Sequence, residues 1–108
     1  MTDRELLEAA AKAAGIVNFH HDTSDGRDYL WRNDQRWGSE VWAPLIDDGD
    51  ALRLAVKLGM AVSVEFNFAS TAVLWGPPTG NVREPHGDDP CAATRRAIVR
   101  AAAAMAVG

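Results

Sequence analysis

The stretch DGDALRLAVKLGMAVSVEFNF (Asp48–Phe68) changes its hydrophobic period in the middle, and that change decides the fold class. Up to Gly59 the apolar residues recur at helical spacing, so we predict a short helix that the glycine ends. From Met60 onward apolar and polar residues alternate, which is the pattern of an antiparallel strand with one buried face. Helical and alternating segments that follow one another along the chain indicate an α+β domain.

The helix in this stretch is so apolar that we expect it to be well buried. Leu52, Ala55 and Val56 face one way, while Leu54 and Leu58 lie off that stripe. On the strand that follows, one face carries only apolar side chains, which are those of Met60, Val62, Val64, Phe66 and Phe68.

Toward the N-terminus the chain predicts a helix and a hairpin. Residues 2–14 form the helix, because Thr2 and Glu5 have the spacing of a capping box. Residues 16–21 and 27–32 then form two strands, joined through the turn dipeptide Asp25-Gly26.

Toward the C-terminus, residues 70–76 pair with the alternating strand, and Asp89-Pro90 begins a last helix that runs to about residue 106. Residues 33–45 are predicted to be an ordered loop and residues 76–89 a proline- and glycine-rich loop. The predicted order is αββαββα, in one domain over residues 1–108. It is an α+β fold with a single antiparallel four-stranded sheet and helices packed against it.

The composition limits the classes of function. The formal net charge of −4 gives no basic field for a nucleic-acid polymer, and no apolar run approaches the roughly 20 residues that span a bilayer. The N-terminal segment is acidic and helical, unlike a signal peptide. A single cysteine, Cys91, fits a reducing compartment, so we expect a cytoplasmic protein.

Several short sequence features in the second half of the chain, taken in order, resemble those of a known protein family. They are, in order, Trp42, Pro44, the acidic turn Asp47–Asp50, the helix 51–58, the hairpin and the segment Ala93-Thr94-Arg95-Arg96-Ala97-Ile98. Over residues 40–106 the chain resembles the phage alpha-beta-alpha (ABA) sandwich domain, a family of small phage and prophage proteins. The resemblance implies a fold and a phage origin, and it implies no catalytic residues.

Two groups have the composition of a reactive or metal-binding site. His20, His21 and Asp22 could bind a metal, but adjacent residues on a strand point to opposite faces, so we favour a strand surface. Cys91 and His86 could form a nucleophile and its base, although a plain core thiol after the helix-start proline is the simpler interpretation.

The acidic turn raises a similar choice. Three carboxylates, those of Asp47, Asp48 and Asp50, surround one glycine, as in a calcium-binding loop. The turn lacks the twelve-residue spacing and the terminal glutamate of such a loop, so we predict that these side chains cap the helix.

The most distinctive group is aromatic and basic. Indole faces stack on planar rings and guanidinium groups bind phosphate or carboxylate, so this mixture is typical of a nucleotide-like ligand. The alternative is that the tryptophans close the ends of the sheet or form a subunit interface. The candidate ligand-binding residues are Trp31, Arg32, Arg36, Trp37, Trp42, Trp75 and Arg83.

Together these features predict a non-catalytic phage accessory protein in the cytoplasm of the bacterial host. It would be a homo-oligomer that captures a small anionic or nucleotide-derived ligand, such as a host immune signal, without a cofactor, a metal or a membrane. The alternative hypothesis is a protein-interaction or structural factor that uses the same tryptophan-rich surface. An enzyme that depends on Cys91 or the histidines is the least favoured of the three.

Overall fold

The computed structural model describes residues 1–16, 18–23, 26–34 and 38–107. Over these residues the chain has the order αβββαβββα. The helices are α1 (Asp3–Ala13), α2 (Asp48–Lys57) and α3 (Pro90–Val107). The strands are β1 (Phe19–Asp22), β2 (Tyr29–Asp34), β3 (Gly38–Trp42), β4 (Ala61–Glu65), β5 (Ser70–Trp75) and β6 (Gly80–Pro85).

The predicted single four-stranded sheet is wrong, because the described strands form two separate three-stranded sheets. The first has the order β1–β2–β3 and the second β4–β5–β6, with every pair antiparallel. The sequence missed β3 and β6, which lie inside the segments predicted as loops. Neither has a run of alternating apolar residues, and β6 ends on Pro85, a residue that sheets accept only at edges or ends. Asp25 of the predicted turn lies outside the described residues.

Helices α1 and α3 pack against each other through alanines. Ala10 and Ala11 of α1 and Ala97, Ala101 and Ala102 of α3 are all fully buried in one cluster. Small side chains let two helices approach closely, so their backbones form much of this contact. Helix α3 is buried over a wide arc of its surface, because residues 97–99 and 101–103 are all buried. None of the described helices has the length and apolar character needed to cross a membrane.

The arginines of α3 attach that helix to its neighbours. Each one binds a carboxylate on a different element. The pairs are Arg95 with Asp48 of α2, Arg96 with Asp3 of α1, and Arg100 with Glu84 of β6. The helix is therefore held on three sides by charged contacts as well as by its apolar core.

Helix α2 is buried over less of its surface than predicted. Of the three residues predicted to face one way, Ala55 is buried, whereas Leu52 is 63% and Val56 72% exposed. The prediction that this helix is well buried is therefore wrong for Leu52 and Val56. The helix packs against α3 and buries Ala51, Leu54 and Ala55.

The alternating strand is confirmed as β4, with Val62 and Val64 on the face toward α3. They pair with Val73 and Thr71, which are fully buried on that face. The alternation does not continue to Phe68 as predicted. The chain leaves the strand at Glu65 and forms one 3₁₀ turn over Phe66–Phe68, which leaves both phenylalanines exposed.

We predict that Ala101→Leu destabilises the protein by about 1–3 kcal/mol, because a larger side chain must push the two close-packed helices apart. Urea unfolding followed by circular dichroism measures the loss. The matched control is Ala104→Leu, on an exposed position of the same helix, which we expect to stay within about 0.5 kcal/mol. Equal effects of the two substitutions would contradict the close helix contact.

Candidate functional site

The residues predicted to form a ligand pocket are divided between the two sheets. Arg36 and Trp37 lie outside the described residues. The others are Trp31 and Arg32 on β2 and Trp42 on β3 in the first sheet, and Trp75 on β5 and Arg83 on β6 in the second.

One pair of these residues does converge. Arg32 and Trp42 line a cavity of about 90 Å³, together with Arg53 and Lys57 of α2. Pockets for ligands of drug size are usually about 300–1,000 Å³, so this cavity is far smaller than a nucleotide requires. Trp42 itself is buried in the core, and the guanidinium group of Arg32 binds the carboxylate of Glu40 on the neighbouring strand.

The other described tryptophans each have a partner within their own sheet. The indole N–H of Trp31 donates to Asp22 at 3.0 Å, and its ring meets that of Tyr29 edge-on, with centroids 6.4 Å apart. Trp75 lies across Gly80, where a Cβ atom would come within 2.3 Å of the indole ring. Each of these two indole rings therefore already has a contact within its own sheet.

Arg83 lies on the face of the second sheet that turns away from the helices. Its guanidinium group donates to Glu65 at 2.8 Å and to Ser70 at 2.7 Å. The hydrogen bond from Arg83 lowers the pKa of Glu65 below its ordinary value, so this carboxylate stays ionised beside its partner.

The acidic turn before α2 caps the helix, as predicted. Asp47 is the N-cap residue, and its carboxylate accepts from the backbone N–H of Asp50 at 2.8 Å. Asp50 in turn accepts from the N–H of Ala43 at 2.9 Å. This hydrogen bond holds the loop between β3 and α2 against the first turn of the helix. With Asp48 bound to Arg95, all three carboxylates have structural partners.

The histidines of β1 have separate environments. His20 is exposed, while His21 is partly buried and its Nε2 atom lies 2.6 Å from Asp28. The described residues contain no group of three or more His, Cys, Asp or Glu side chains placed to hold a metal ion. Cys91 is exposed at the start of α3, so the prediction that it is a core thiol is wrong.

His86 belongs to a buried chain of hydrogen bonds between β5 and α3. The hydroxyl of Thr94 donates to the carbonyl of Pro90 at 2.8 Å, so it must accept from Thr71, 2.8 Å away. The hydroxyl of Thr71 has then used its proton, so it must accept from Nε2–H of His86 at 2.9 Å. This chain fixes the tautomer of His86 and ties the sheet to the first turn of α3.

An apolar groove of about 390 Å³ runs beside this chain, between α2, β4 and the start of α3. Its surface is almost wholly apolar, with Asp48, Thr94 and Arg95 at its margins. The apolar side chains that line it include Leu52 and Ala55 of α2, Val62 and Val64 of β4, Phe66, and Ile98 of α3.

This groove contains the largest disagreement between the sequence patterns and the burial of the folded chain. Leu52, Val62, Val64 and Phe66 were all predicted to face a core, yet each is exposed on the groove or its rim. Hydrophobic periodicity cannot separate the two cases, because an apolar face that stays exposed on the folded chain has the same pattern as one that meets its own core.

We predict that Thr71→Val destabilises the protein by about 1–3 kcal/mol, because it leaves the buried N–H of His86 without an acceptor while preserving the shape of the side chain. Thr71→Ser keeps the hydroxyl and is the control, with a smaller loss expected. Both are measured by urea unfolding. A valine variant as stable as the original protein would contradict the role of this chain.

Three comparisons, with models of protein families, with curated proteins and with solved structures, find no match to this chain. The resemblance to the phage ABA sandwich domain therefore stays a prediction.

Proposed function

We propose that this protein is a non-catalytic interaction module that binds apolar side chains of a protein partner in the groove between α2, β4 and α3. One observation carries the proposal. Large apolar side chains from separate elements, among them Leu52, Val64 and Phe66, are exposed and line the same groove. Soluble proteins rarely expose a contiguous apolar surface without a partner for it.

The character of the groove favours a protein over a small polar ligand. A site for a small molecule places several polar groups to fix the orientation of the ligand, whereas this surface is almost entirely apolar. The charged groups stand at the margin, where Asp48 and Arg95 bind each other. An apolar centre within a polar rim is the usual anatomy of a protein interface.

Capture of a small anionic or nucleotide-derived ligand stays a prediction, as does a phage accessory role. Any anion at Arg32 or Arg83 would have to compete with Glu40 or Glu65, the carboxylates that these guanidinium groups already bind. The groove requires no such displacement, because Leu52, Val64 and Phe66 are exposed on it. This difference is why we place the binding surface there.

We predict that the neutral apolar dye Nile red binds in the groove and that Leu52→Gln combined with Phe66→Ser weakens its binding about tenfold, or about 1.4 kcal/mol. The loss follows from the two apolar side chains that the dye no longer contacts, each of which contributes about 1.5–3 kcal/mol when fully buried. Dye fluorescence is titrated over a dilution series, because copies that associate through the groove would compete with the dye.

The matched control is Leu74→Gln. Like Leu52, Leu74 is an exposed leucine. It belongs to β5 and lies on the face of the second sheet that turns away from the groove. Dye binding that is equal in the three proteins would contradict the proposal. So would the absence of dye binding from a protein that also shows no association of copies at any concentration.

A further inference from the structure

The outer edge of β4 is open along its whole length. β4 is the first strand of its sheet, and no strand of the described residues pairs with its other side. Four of its five residues are exposed. An open edge presents free N–H and C=O groups, which pair readily with another strand.

The two edges of this sheet differ in how they are protected. β6, at the far edge, carries Arg83, Glu84 and Pro85, and charges and proline are the usual devices that prevent edge pairing. β4 carries one charge, Glu65, which Arg83 of its own sheet neutralises. The chain thus protects one edge and leaves the other available.

The sequence of β4 is complementary to itself in the antiparallel direction. A two-fold axis through Ser63 pairs all five residues of the strand with those of a second copy. Val62 then lies opposite Val64 of the copy on the groove face, and Ala61 opposite Glu65, so no like charges meet. A shift of the axis to Val62 or Val64 leaves part of the strand unpaired.

The dimer that this two-fold axis generates also covers the other exposed apolar side chains near β4. It keeps the helices of both copies on one side of the joined sheet, so the two α2 helices face each other across the axis above the paired strands. Leu52 and Val56 lie one turn apart on the exposed face of α2, and Leu52 lines the groove together with Val62 and Val64. Phe66, 84% exposed, comes opposite Met60 of the copy.

We propose that the partner of the groove is a second copy of this chain, joined by antiparallel β4–β4 pairing into a two-fold dimer with one six-stranded sheet. This proposal rests on the proposed function and names its partner. A second copy is preferred to an unrelated protein because one symmetry operation pairs the open edge and brings together the apolar residues of α2, β4 and the turn after it. In an isologous interface the same patch of both copies must complement itself. The patch around β4 does so, because Val62 meets Val64 of the copy and no like charges meet.

The test uses a cysteine on the predicted axis. In the two-fold dimer, Ser63 lies opposite Ser63 of the copy, with Cα atoms about 4.5–5.5 Å apart, which a disulfide spans. We expect Ser63→Cys, in a Cys91→Ser background, to form a covalent dimer under mild oxidation. The control is Ala61→Cys in the same background, because the two copies of residue 61 would lie about 13 Å apart, four residues of strand.

We expect cross-linking of Ser63→Cys to be at least about tenfold faster than that of Ala61→Cys, since the control pair is beyond the reach of a disulfide. The unmodified protein should sediment at twice the mass of one chain at high concentration. Leu52→Gln with Phe66→Ser should weaken this association about tenfold or more, given the apolar area that it removes. Leu74→Gln should leave it unchanged.

The outcomes separate this proposal from the one on which it rests. A monomer at every concentration that binds Nile red in the groove overturns the dimer and keeps the interaction module, with a different protein as its partner. Equal cross-linking at positions 61 and 63 overturns the register. A dimer that Leu52→Gln with Phe66→Ser does not weaken, and that Ser63→Cys does not cross-link, overturns both proposals, because association then uses another surface.

Discussion

The close contact between the alanine faces of α1 and α3 is the constraint on which the other parts of this fold depend. Because small side chains let the two helices approach, α3 lies at the centre of the molecule, where α1, α2, β5 and β6 all pack against it. Its arginines then bind a carboxylate on each of three neighbours, and Thr94 joins the hydrogen-bonded chain from His86. A charged pair at the surface contributes little by itself. Here the pairs determine the orientation of elements that the alanine contact has already placed.

The position of α3 also explains why the groove exists. The helix covers β5 and β6, and the sheet continues past it to β4. Helix α2 packs on the side of α3, with its N-terminus held by Arg95. Between α2, α3 and β4 the groove stays open, so Leu52, Val62 and Val64 are exposed among the described residues.

The sequence predicted the elements whose patterns are local. The capping box at Thr2, the Asp47 cap of α2 and the strand around Val62 are all present as expected, because each depends on residues a few positions apart. The face of Val62 and Val64, which was expected to be buried, is exposed. The two missed strands, β3 and β6, have no such pattern. They exist because a neighbouring strand supplies their hydrogen bonds. Their contribution to the core, through Trp42 of β3 and Val82 of β6, leaves no alternating pattern in the sequence. The error in the number of strands follows from β3 and β6, since each adds a third strand to a predicted hairpin. The predicted single sheet is wrong because no described strand of one half pairs with a strand of the other.

The predicted site and the groove differ in residue type and in whether folding leaves their side chains free. Tryptophan and arginine were expected to bind a ligand because both can stack or donate, but a side chain contributes to binding only if folding leaves it free. Arg32, Arg83 and the indole of Trp31 have partners within the chain, so binding there must first break a contact. Leu52 and Phe66 have their apolar surface in water, and burial stabilises a complex by roughly 25 cal/mol for each Å² removed from water. Our proposal of a binding surface beside β4 therefore rests on exposed apolar side chains and on a strand edge that no described strand pairs with.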